Sequence, residues 1–301
     1  MSRMKLENVV SGVKDRPLRC LIYAPEGVGK TTFAAGAPSP IFLDVEDGSH
    51  RLSVDRFPVP ESLEEVYEAI AEVEASGKYK TLVIDTLDAL EAIVWAHVCK
   101  RERKQSIEAF GYGKGYVEAR DEWAKLLARL QSMGQAGGVS VIMLGHAAVR
   151  TFKDPQGMDH DRYELRVHTK AAGIIKEWCD LVGFANYETV ATEDTNSGRF
   201  KVADTGRRLL FFTRERGFEA KSRYTLPPKL ELNWPTFSEA LNKAKATTRD
   251  GLVASIKELL AALNTEKRDE LAPKIQPIIE GEQDVKKLEQ CIRKLKTLTK
   301  E

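Results

Sequence analysis

The sequence predicts an α/β fold with a mainly parallel central sheet, an antiparallel extension of that sheet and a small all-α unit at the C-terminus. Short apolar runs alternate with longer amphipathic stretches, which is typical of a parallel sheet covered on both faces. After about residue 180 shorter β segments follow, and from Thr247 the pattern is nearly continuously helical. We therefore predict two domains, 1–246 and 247–301.

The individual elements follow from the spacing of apolar residues. Stretches 61–75 and 117–133 carry apolar residues at helical spacing and are predicted helices. The antiparallel extension is predicted from segments 200–203 and 208–213, with a turn at 194–198 between the first of them and the preceding strand. The C-terminal helical pattern is interrupted at Pro273 to Pro277 and at Gly281, where we expect breaks. The predicted core strands are 18–23, 41–45, 81–84, 139–144 and 181–185.

Composition excludes several classes of protein. With 42% hydrophobic and 30% charged residues, the 301-residue chain is not of the disordered type. A net charge of +1 provides no global basic field, so nucleic-acid binding would need local patches. The four cysteines lack C-x-x-C spacing, which argues against a zinc knuckle or disulfide framework. Neither an apolar leader nor a membrane-length apolar run is visible, so we expect a cytoplasmic protein without a membrane partner.

A glycine-rich loop joins the first predicted strand to a helix. Residues 24–32 read APEGVGKTT, and the order of strand, loop and helix predicts a site for ATP and Mg²⁺. Glycines let successive N–H groups turn toward one anion, while Lys30 reaches the β- and γ-phosphates and Thr31 ligates the metal. Ala24 replaces the usual first glycine, which marks the turn and does not touch phosphate. The predicted nucleotide-binding residues are Pro25, Glu26, Gly27, Val28, Gly29, Lys30, Thr31 and Thr32.

Two further predicted strands end in acidic residues. Asp85 follows the run 81–84 in the manner of a Walker B strand and is predicted to hold Mg²⁺ together with Thr31. Glu46 follows the neighbouring run 41–45 and is our choice for the carboxylate that polarises the attacking water. Asp44, Glu46 and Asp47 could instead form a solvated loop or cap a helix, and this alternative stays open.

The fourth predicted strand ends at Gly145-His146. A polar side chain at this point faces the γ-phosphate from the side opposite Lys30. His146 is therefore a candidate sensor that hydrogen-bonds to the phosphate or to the attacking water. A structural histidine without that role is the alternative.

Taken in order, the segments APEGVGKTT, IFLDVEDG, TLVIDTLDAL and VIMLGHA resemble the RecA/KaiC-like branch of the P-loop ATPases. More closely, the chain is similar to phage-encoded, AAA-type proteins with a RecA-like core that act as ATP-dependent single-strand annealing recombinases. Further closeness lies in FGYGKGY at 110–116, DRYEL at 161–165, EWCDLV at 177–182 and AKSRYTLP at 220–227. The resemblance covers 15–243 and implies a RecA-like P-loop NTPase core, Mg²⁺-dependent ATPase activity and location in the host-cell cytoplasm.

The resemblance also implies roles for particular residues. RecA relatives commonly carry glutamine at the sensor position occupied here by His146. Segment 221–223 resembles the K-x-R pair that ring- and filament-forming relatives insert into the neighbouring subunit's site, so Lys221 and Arg223 are implied to act in trans. Surface charges on an edge strand are the alternative for this pair. The nucleotide and catalytic positions implied by the family are Gly29, Lys30, Thr31, Glu46, Asp85 and His146.

In RecA-like proteins, DNA binds through the loops after the Walker B and sensor strands, which correspond here to 100–116 and 150–170. Both segments mix cations with aromatic residues, which suits single strands because cations follow phosphates and rings stack on unpaired bases. Some of these aromatic residues are expected to lie in the core. The residues implied to contact single-stranded DNA are Lys104, Tyr112, Lys114, Arg150, Lys153, Arg162, Arg166 and Lys170.

Together these features predict an ATP-dependent recombination protein that holds single-stranded DNA for annealing or strand pairing. Its expected partners are further copies of itself, in a head-to-tail ring or filament, and a single-strand-binding protein. A helicase or loader motor on the same core is one alternative, although accessory helicase motifs are not visible. A nucleotide-gated assembly module with little DNA contact is the other.

Overall fold

In the computed structural model, the described residues are 5, 16–194, 199–246, 249–263, 265–281 and 285–298. They form two compact units, which divide between Ser238 and Glu239. The predicted domain boundary between 246 and 247 stays a prediction. One helix, Trp234–Ala246, begins before the division at Ser238 and ends at the predicted boundary. Each unit is described separately.

A ten-stranded mixed sheet organises the described part of the first unit. Its order is β10-β8-β7-β1-β5-β4-β2-β3, with β6 paired to β5 and β9 paired to β7. Strands β1, β2, β3, β4, β5 and β7 pair in parallel with one another, and the remaining strands pair antiparallel. The predicted fold class is confirmed. The strands are β1 Arg19–Ala24, β2 Pro40–Asp44, β3 Asp55–Arg56, β4 Thr81–Asp85, β5 Ser140–Phe152, β6 His160–Leu165, β7 Leu181–Asp194, β8 Arg199–Phe211, β9 Lys221–Ser222 and β10 Lys229–Glu231.

Helices connect the strands and have local reasons for their ends. Helix α2 begins after Ser62, whose side chain accepts from the main-chain N of Glu65 at 3.2 Å, and is followed by Gly77 at φ 60°. The predicted helices 61–75 and 117–133 are confirmed as α2 and α4. Helix α3, directly after the Walker B strand, is not predicted by the sequence pattern. The helices of this region are α1 Lys30–Ala35, α2 Leu63–Ser76, α3 Leu87–Arg101, α4 Lys114–Gly137 and α5 Thr169–Trp178. Helix α6, Trp234–Ala246, begins in this unit and continues past the division after Ser238.

The core lies on both faces of the parallel strands. Every residue of β1 is buried. Leu21 and Tyr23 point to the face that α2, α3, α4 and α5 cover. Phe33 of α1 packs against Trp234 and Phe237, with ring centroids 5.4 and 5.5 Å apart. Because both faces are covered, the strand ends and the loops beyond them remain as the place for a site.

Two strands differ from their predicted extents. Strand β5 continues past residue 144 to Phe152, because from Ala147 onward it exchanges its parallel neighbours for antiparallel pairing with β6. The segment 150–170, expected as a loop, is therefore mostly a β-hairpin followed by the start of α5. Segment 200–203 and residues 208–211 of segment 208–213 belong to one strand, β8, which accommodates Gly206 at φ 78°. Residues 195–198 of the predicted turn lie outside the described part of the chain.

The described part of the C-terminal unit is helical, with α7 Arg249–Ala262, α8 Thr265–Gly281 and α9 Val285–Leu298. The predicted break between Pro273 and Pro277 is wrong, because α8 runs through both prolines and ends at Gly281. Each proline removes one N–H donor, but Ile275 and Ile279 of the same helix are buried in a cluster with Ile256. Burial of this stripe offsets the lost hydrogen bonds. Among the described helices, none combines the length and the apolar character needed to cross a bilayer.

Glu91 of α3 is a buried carboxylate, 6% exposed, that links this helix to the start of α5. Its two oxygens accept from the main-chain N of His168 at 2.9 and 3.1 Å. Burial, with a contribution from the negative charge of Asp88, raises the pKa of Glu91 to about 7 from 4.5. The carboxyl group of Glu91 therefore binds its proton more tightly in the folded state than in the unfolded state.

Replacing Glu91 with glutamine is expected to stabilise the protein at alkaline pH. The stability that the protonated carboxyl contributes is complete below about pH 4.5 and is lost as the pH rises to about 7, whereas glutamine does not titrate. The free energy of unfolding of Glu91→Gln should exceed that of the wild type by up to about 3 kcal/mol at pH 8 and by little at pH 4. Urea unfolding at both pH values measures this. The exposed Glu72→Gln is the control, and an equal gain at both pH values would contradict the assignment.

Candidate functional site

The carboxyl ends of the parallel strands meet at one edge of the sheet. Ala24 at the end of β1 lies in register with His146 on β5, and Asp44 at the end of β2 lies in register with Asp85 on β4. Parallel strands present the loops that follow them at the same edge, which is where such folds bind ligands. The structure thus brings the glycine loop, both predicted acids and the predicted sensor to one place.

The glycine loop has the backbone conformation that an anion cradle requires. Gly27 and Gly29 adopt φ values of 74° and 104°, in the left-handed region that side chains disfavour. Alternation of this kind turns successive N–H groups toward one point. Lys30 opens α1 and is 6% exposed, with its Nζ 3.4 Å from the carbonyl oxygen of Pro25. Burial lowers the pKa of Lys30, and the neighbouring carboxylates, led by Asp85, act against that shift.

Thr31 and Asp85 are in direct contact. The Thr31 hydroxyl donates to Asp85 Oδ2 at 2.7 Å. Burial raises the pKa of Asp85 to about 6, with further contributions from Asp44 and Glu46, while the hydrogen bond from Thr31 lowers it. A hydroxyl and a carboxylate are oxygen ligands of the kind Mg²⁺ prefers, so this pair fits the predicted metal site.

The three acids after β2 occupy different positions. Asp44 is buried and accepts from the main-chain N of Gly48 at 3.0 Å and of Ser49 at 2.8 Å, so it holds the turn. Asp47 is exposed, with φ 55°. Glu46 accepts from the Thr86 hydroxyl at 2.6 Å. The loop-forming role that the sequence left open therefore falls to Asp44, and Glu46 is the acid held beside the Walker B strand.

His146 lies between two carboxylates. Its Nδ1 is 2.9 Å from Asp88 Oδ2 and 3.6 Å from Glu46 Oε1. Its main-chain N donates to Asp88 Oδ1 at 2.9 Å. Although burial acts in the opposite direction, hydrogen bonds from His146 and Arg166 hold the pKa of Asp88 well below its usual range. Sequence reasoning missed Asp88, and the available signal was an acid in the first turn of a helix that follows a Walker B strand.

Two further residues that the sequence did not indicate contact the glycine loop from β7 and β8. The Tyr187 hydroxyl lies 3.4 Å from the Gly27 carbonyl oxygen, and Arg208 Nη1 lies 3.3 Å from the Val28 carbonyl oxygen. In a cradle whose N–H groups turn inward, carbonyls point outward, so these side chains contact the outer face of the loop. A Cβ at Gly29 would lie 2.6 Å from Arg208 Nη1, so the end of this arginine side chain occupies the space beside the glycine.

The implied trans pair lies at the opposite edge of the sheet. Lys221 pairs in register with Val182 at the beginning of β7, and its Nζ donates to the Lys176 carbonyl oxygen at 2.7 Å. Arg223 Nη1 lies 3.0 Å from Asp180 Oδ1. A strand of the length of β1, about 20 Å, separates this edge from the glycine loop. These two cations therefore do not reach the nucleotide loop of their own protomer.

Among the first set of implied DNA contacts, Tyr112 stands out by its exposure. Gly111, Tyr112 and Gly113 have φ values of 69°, 49° and 68°, a run of left-handed residues that projects the tyrosine fully into solvent. Lys104 and Lys114 are also exposed. Tyr116, the other tyrosine of this segment, stacks on the ring of His168 and packs against the core of the same protomer.

The second set lies on the β5–β6 hairpin and beside it. Lys153 and Lys170 are exposed. The Arg162 side chain is 10% exposed and lies 2.6 Å from Glu164. Arg162 also lies 2.9 Å from a second carboxylate, that of Glu219, so two carboxylates of the same protomer neutralise its charge. The other two cations are partnered as well. Arg150 lies 3.8 Å from Glu164, and Arg166 lies 2.8 Å from Asp88.

Comparison with known proteins gives a family. A family model described as an AAA domain matches residues 16–224. A crystal structure of the RadB recombinase is 15% identical with a TM-score of 0.36, over 67% of this chain and 83% of that one. A KaiC-like protein from the hyperthermophilic archaeon Pyrococcus horikoshii OT3 is 16% identical with a TM-score of 0.36, over 72% of this chain and 89% of that one. None of the curated proteins matches the chain in sequence.

Proposed function

The chain belongs to the AAA domain family, and on this premise we propose that it is a Mg²⁺-dependent ATPase that binds single-stranded DNA for annealing or strand pairing. The observation that carries the nucleotide part is the 2.7 Å contact between Thr31 and Asp85, placed directly after the buried Lys30. This contact joins the glycine loop to the Walker B strand. It supports a phosphate and metal site at the sheet edge.

For hydrolysis, each side chain at the edge has a distinct task. Lys30 and the loop N–H groups bind the phosphate oxygens and offset their charge. Thr31 and Asp85 would hold Mg²⁺, which supplies charge neutralisation for the terminal phosphates when bound. Thr86 donates to Glu46 Oε1 and so orients this carboxylate, whose other oxygen accepts the proton of the attacking water.

The position of the K-x-R pair supports assembly. Lys221 and Arg223 lie at the end of the sheet opposite the glycine loop, so in a head-to-tail assembly they would face the loop of the next protomer. In that arrangement their charges add to the stabilisation of the transferring phosphate. If the rotation from one protomer to the next closes on itself, the assembly is a ring; if it does not close, the assembly is a helical filament.

The exposed ring of Tyr112 supports the DNA part of the proposal. A solvent-exposed aromatic ring between two glycines and near exposed lysines is an arrangement on which unpaired bases can stack. Base stacking tolerates any sequence, which suits annealing of arbitrary strands.

Replacing Tyr112 with alanine is expected to weaken single-strand binding about 10-fold, because stacking on one ring contributes roughly 1–3 kcal/mol. Fluorescence anisotropy of a labelled oligonucleotide, with Mg²⁺ and a non-hydrolysable ATP analogue, measures the affinity. The matched control is Tyr112→Phe, which keeps the ring and should bind within about twofold of the wild type. Equal binding by the alanine variant would contradict the stacking role. A wild type with no ATP-dependent anisotropy would instead favour the assembly module, and strand displacement would favour the helicase.

A further inference from the structure

Arg166 contacts three parts of the candidate site: the glycine loop, the start of α3 and the end of the parallel section of β5. Its Nη1 lies 3.2 Å from Glu26 Oε1 of the glycine loop. Its Nη2 lies 2.8 Å from Asp88 Oδ2 and 3.1 Å from His146 Nδ1. The main-chain N of Arg166 donates to the His146 carbonyl oxygen at 2.8 Å. The residue follows directly after β6, so its backbone is tied to the sensor strand while its guanidinium reaches the loop.

We propose that Arg166 contacts the γ-phosphate within its own protomer and thereby distinguishes a bound triphosphate from a diphosphate. This inference rests on the proposed ATP site. It assigns to Arg166 a role on the nucleotide in place of the DNA contact that the family resemblance implies. The trans pair Lys221 and Arg223 is separate from it, since Arg166 acts in cis.

The position of Arg166 in the site indicates which phosphate it contacts, the terminal one. His146 stands beside Ala24, where the glycine loop begins, and its ring is 3.6 Å from Glu46 Oε1. Glu46 is the carboxylate proposed to polarise the attacking water, so this side is the one from which the γ-phosphate is attacked. Arg166 is one hydrogen-bond length beyond His146, within reach of the same phosphate face.

The present partners of Arg166 can release it. The pair with Glu26 is exposed, with the two side chains 46% and 74% accessible, and ion pairs of this kind contribute little. Asp88 keeps the main-chain N and the ring of His146 as partners when the guanidinium leaves. A phosphate oxygen pair matches the planar guanidinium fork and forms shorter, charge-assisted hydrogen bonds. The guanidinium can therefore move to the γ-phosphate without leaving Asp88 unpartnered.

The experiment is a calorimetric titration of the full chain with Mg²⁺ and either a non-hydrolysable ATP analogue or ADP. Arg166→Ala is expected to weaken analogue binding about 10-fold and to leave ADP affinity within about twofold. Glu26→Gln removes a competing carboxylate and should tighten analogue binding two- to threefold, a change of opposite sign that misfolding would not produce. The matched control is Arg207→Ala, another exposed arginine paired with two carboxylates. It should bind both nucleotides like the wild type.

Two outcomes would overturn the inference. One is an Arg166→Ala variant that loses affinity for the analogue and ADP equally. The other is a variant that binds both nucleotides as the wild type does; if anisotropy then shows weaker single-strand binding, Arg166 returns to the DNA contacts. A wild type that binds neither nucleotide would instead remove the proposed function itself, so the two failures are distinguishable.

Discussion

Replacing Lys30 with alanine is expected to abolish measurable ATP hydrolysis and to weaken ATP binding roughly 10- to 100-fold. The buried ammonium group stands at the start of α1 beside the acids of β2 and β4. In the proposed function it offsets the charge of the β- and γ-phosphates. Alanine removes this charge and leaves the left-handed glycines of the loop unchanged. Phosphate release under saturating ATP and calorimetric titration with Mg²⁺-ATP measure the two effects.

The control for this variant is a lysine of the same protein outside the site. Lys78 is exposed and paired with Asp55 at 2.9 Å, so Lys78→Ala should keep both turnover and affinity. If the Lys30→Ala variant hydrolyses ATP at the wild-type rate, the proposed phosphate site is wrong. Annealing of complementary strands, measured in the same samples, tests the coupling: ATP-stimulated annealing should disappear together with turnover.

Replacing Glu46 with glutamine is expected to lower kcat about 100- to 1,000-fold while ATP affinity stays within about twofold. The amide oxygen still accepts from the Thr86 hydroxyl, so the side chain keeps its place, but it no longer accepts the proton of the attacking water. Single-turnover hydrolysis with excess enzyme separates this loss from any change in binding. The variant should therefore accumulate in the ATP-bound form.

The neighbouring acid provides the matched control for Glu46→Gln. Asp47 is exposed and adopts φ 55°, a conformation that asparagine tolerates, so Asp47→Asn should keep the wild-type rate. The opposite ranking, with Asp47→Asn inactive and Glu46→Gln active, would assign the chemistry to the other acid. Electron micrographs of Glu46→Gln with ATP and single-stranded DNA would then distinguish a ring from a filament, because this variant holds the nucleotide.

Prediction from sequence succeeded where local chemistry constrains neighbouring residues. The glycine loop was identified because Gly27 and Gly29 must adopt left-handed φ values within a few positions of Lys30. The parallel strands were found because burial on both faces requires continuous apolar runs. Helix α3 was missed, since one of its buried positions is the charged Glu91, which breaks the apolar pattern.

Contacts that depend on strand order were not accessible in this way. Arg166 meets Asp88 and Glu26, and Arg208 meets Val28, across 78, 140 and 180 positions of chain. Such pairs form because β1 lies between β7 and β5 in the sheet. Beyond the parallel strands, β5 continues into an antiparallel hairpin with β6, which Arg166 directly follows. Local periodicity carries information about which face of a strand is buried and does not encode which strand becomes its neighbour. The glycine loop can therefore be recognised from a short segment, whereas the residues that surround it are defined by the packing of the whole sheet.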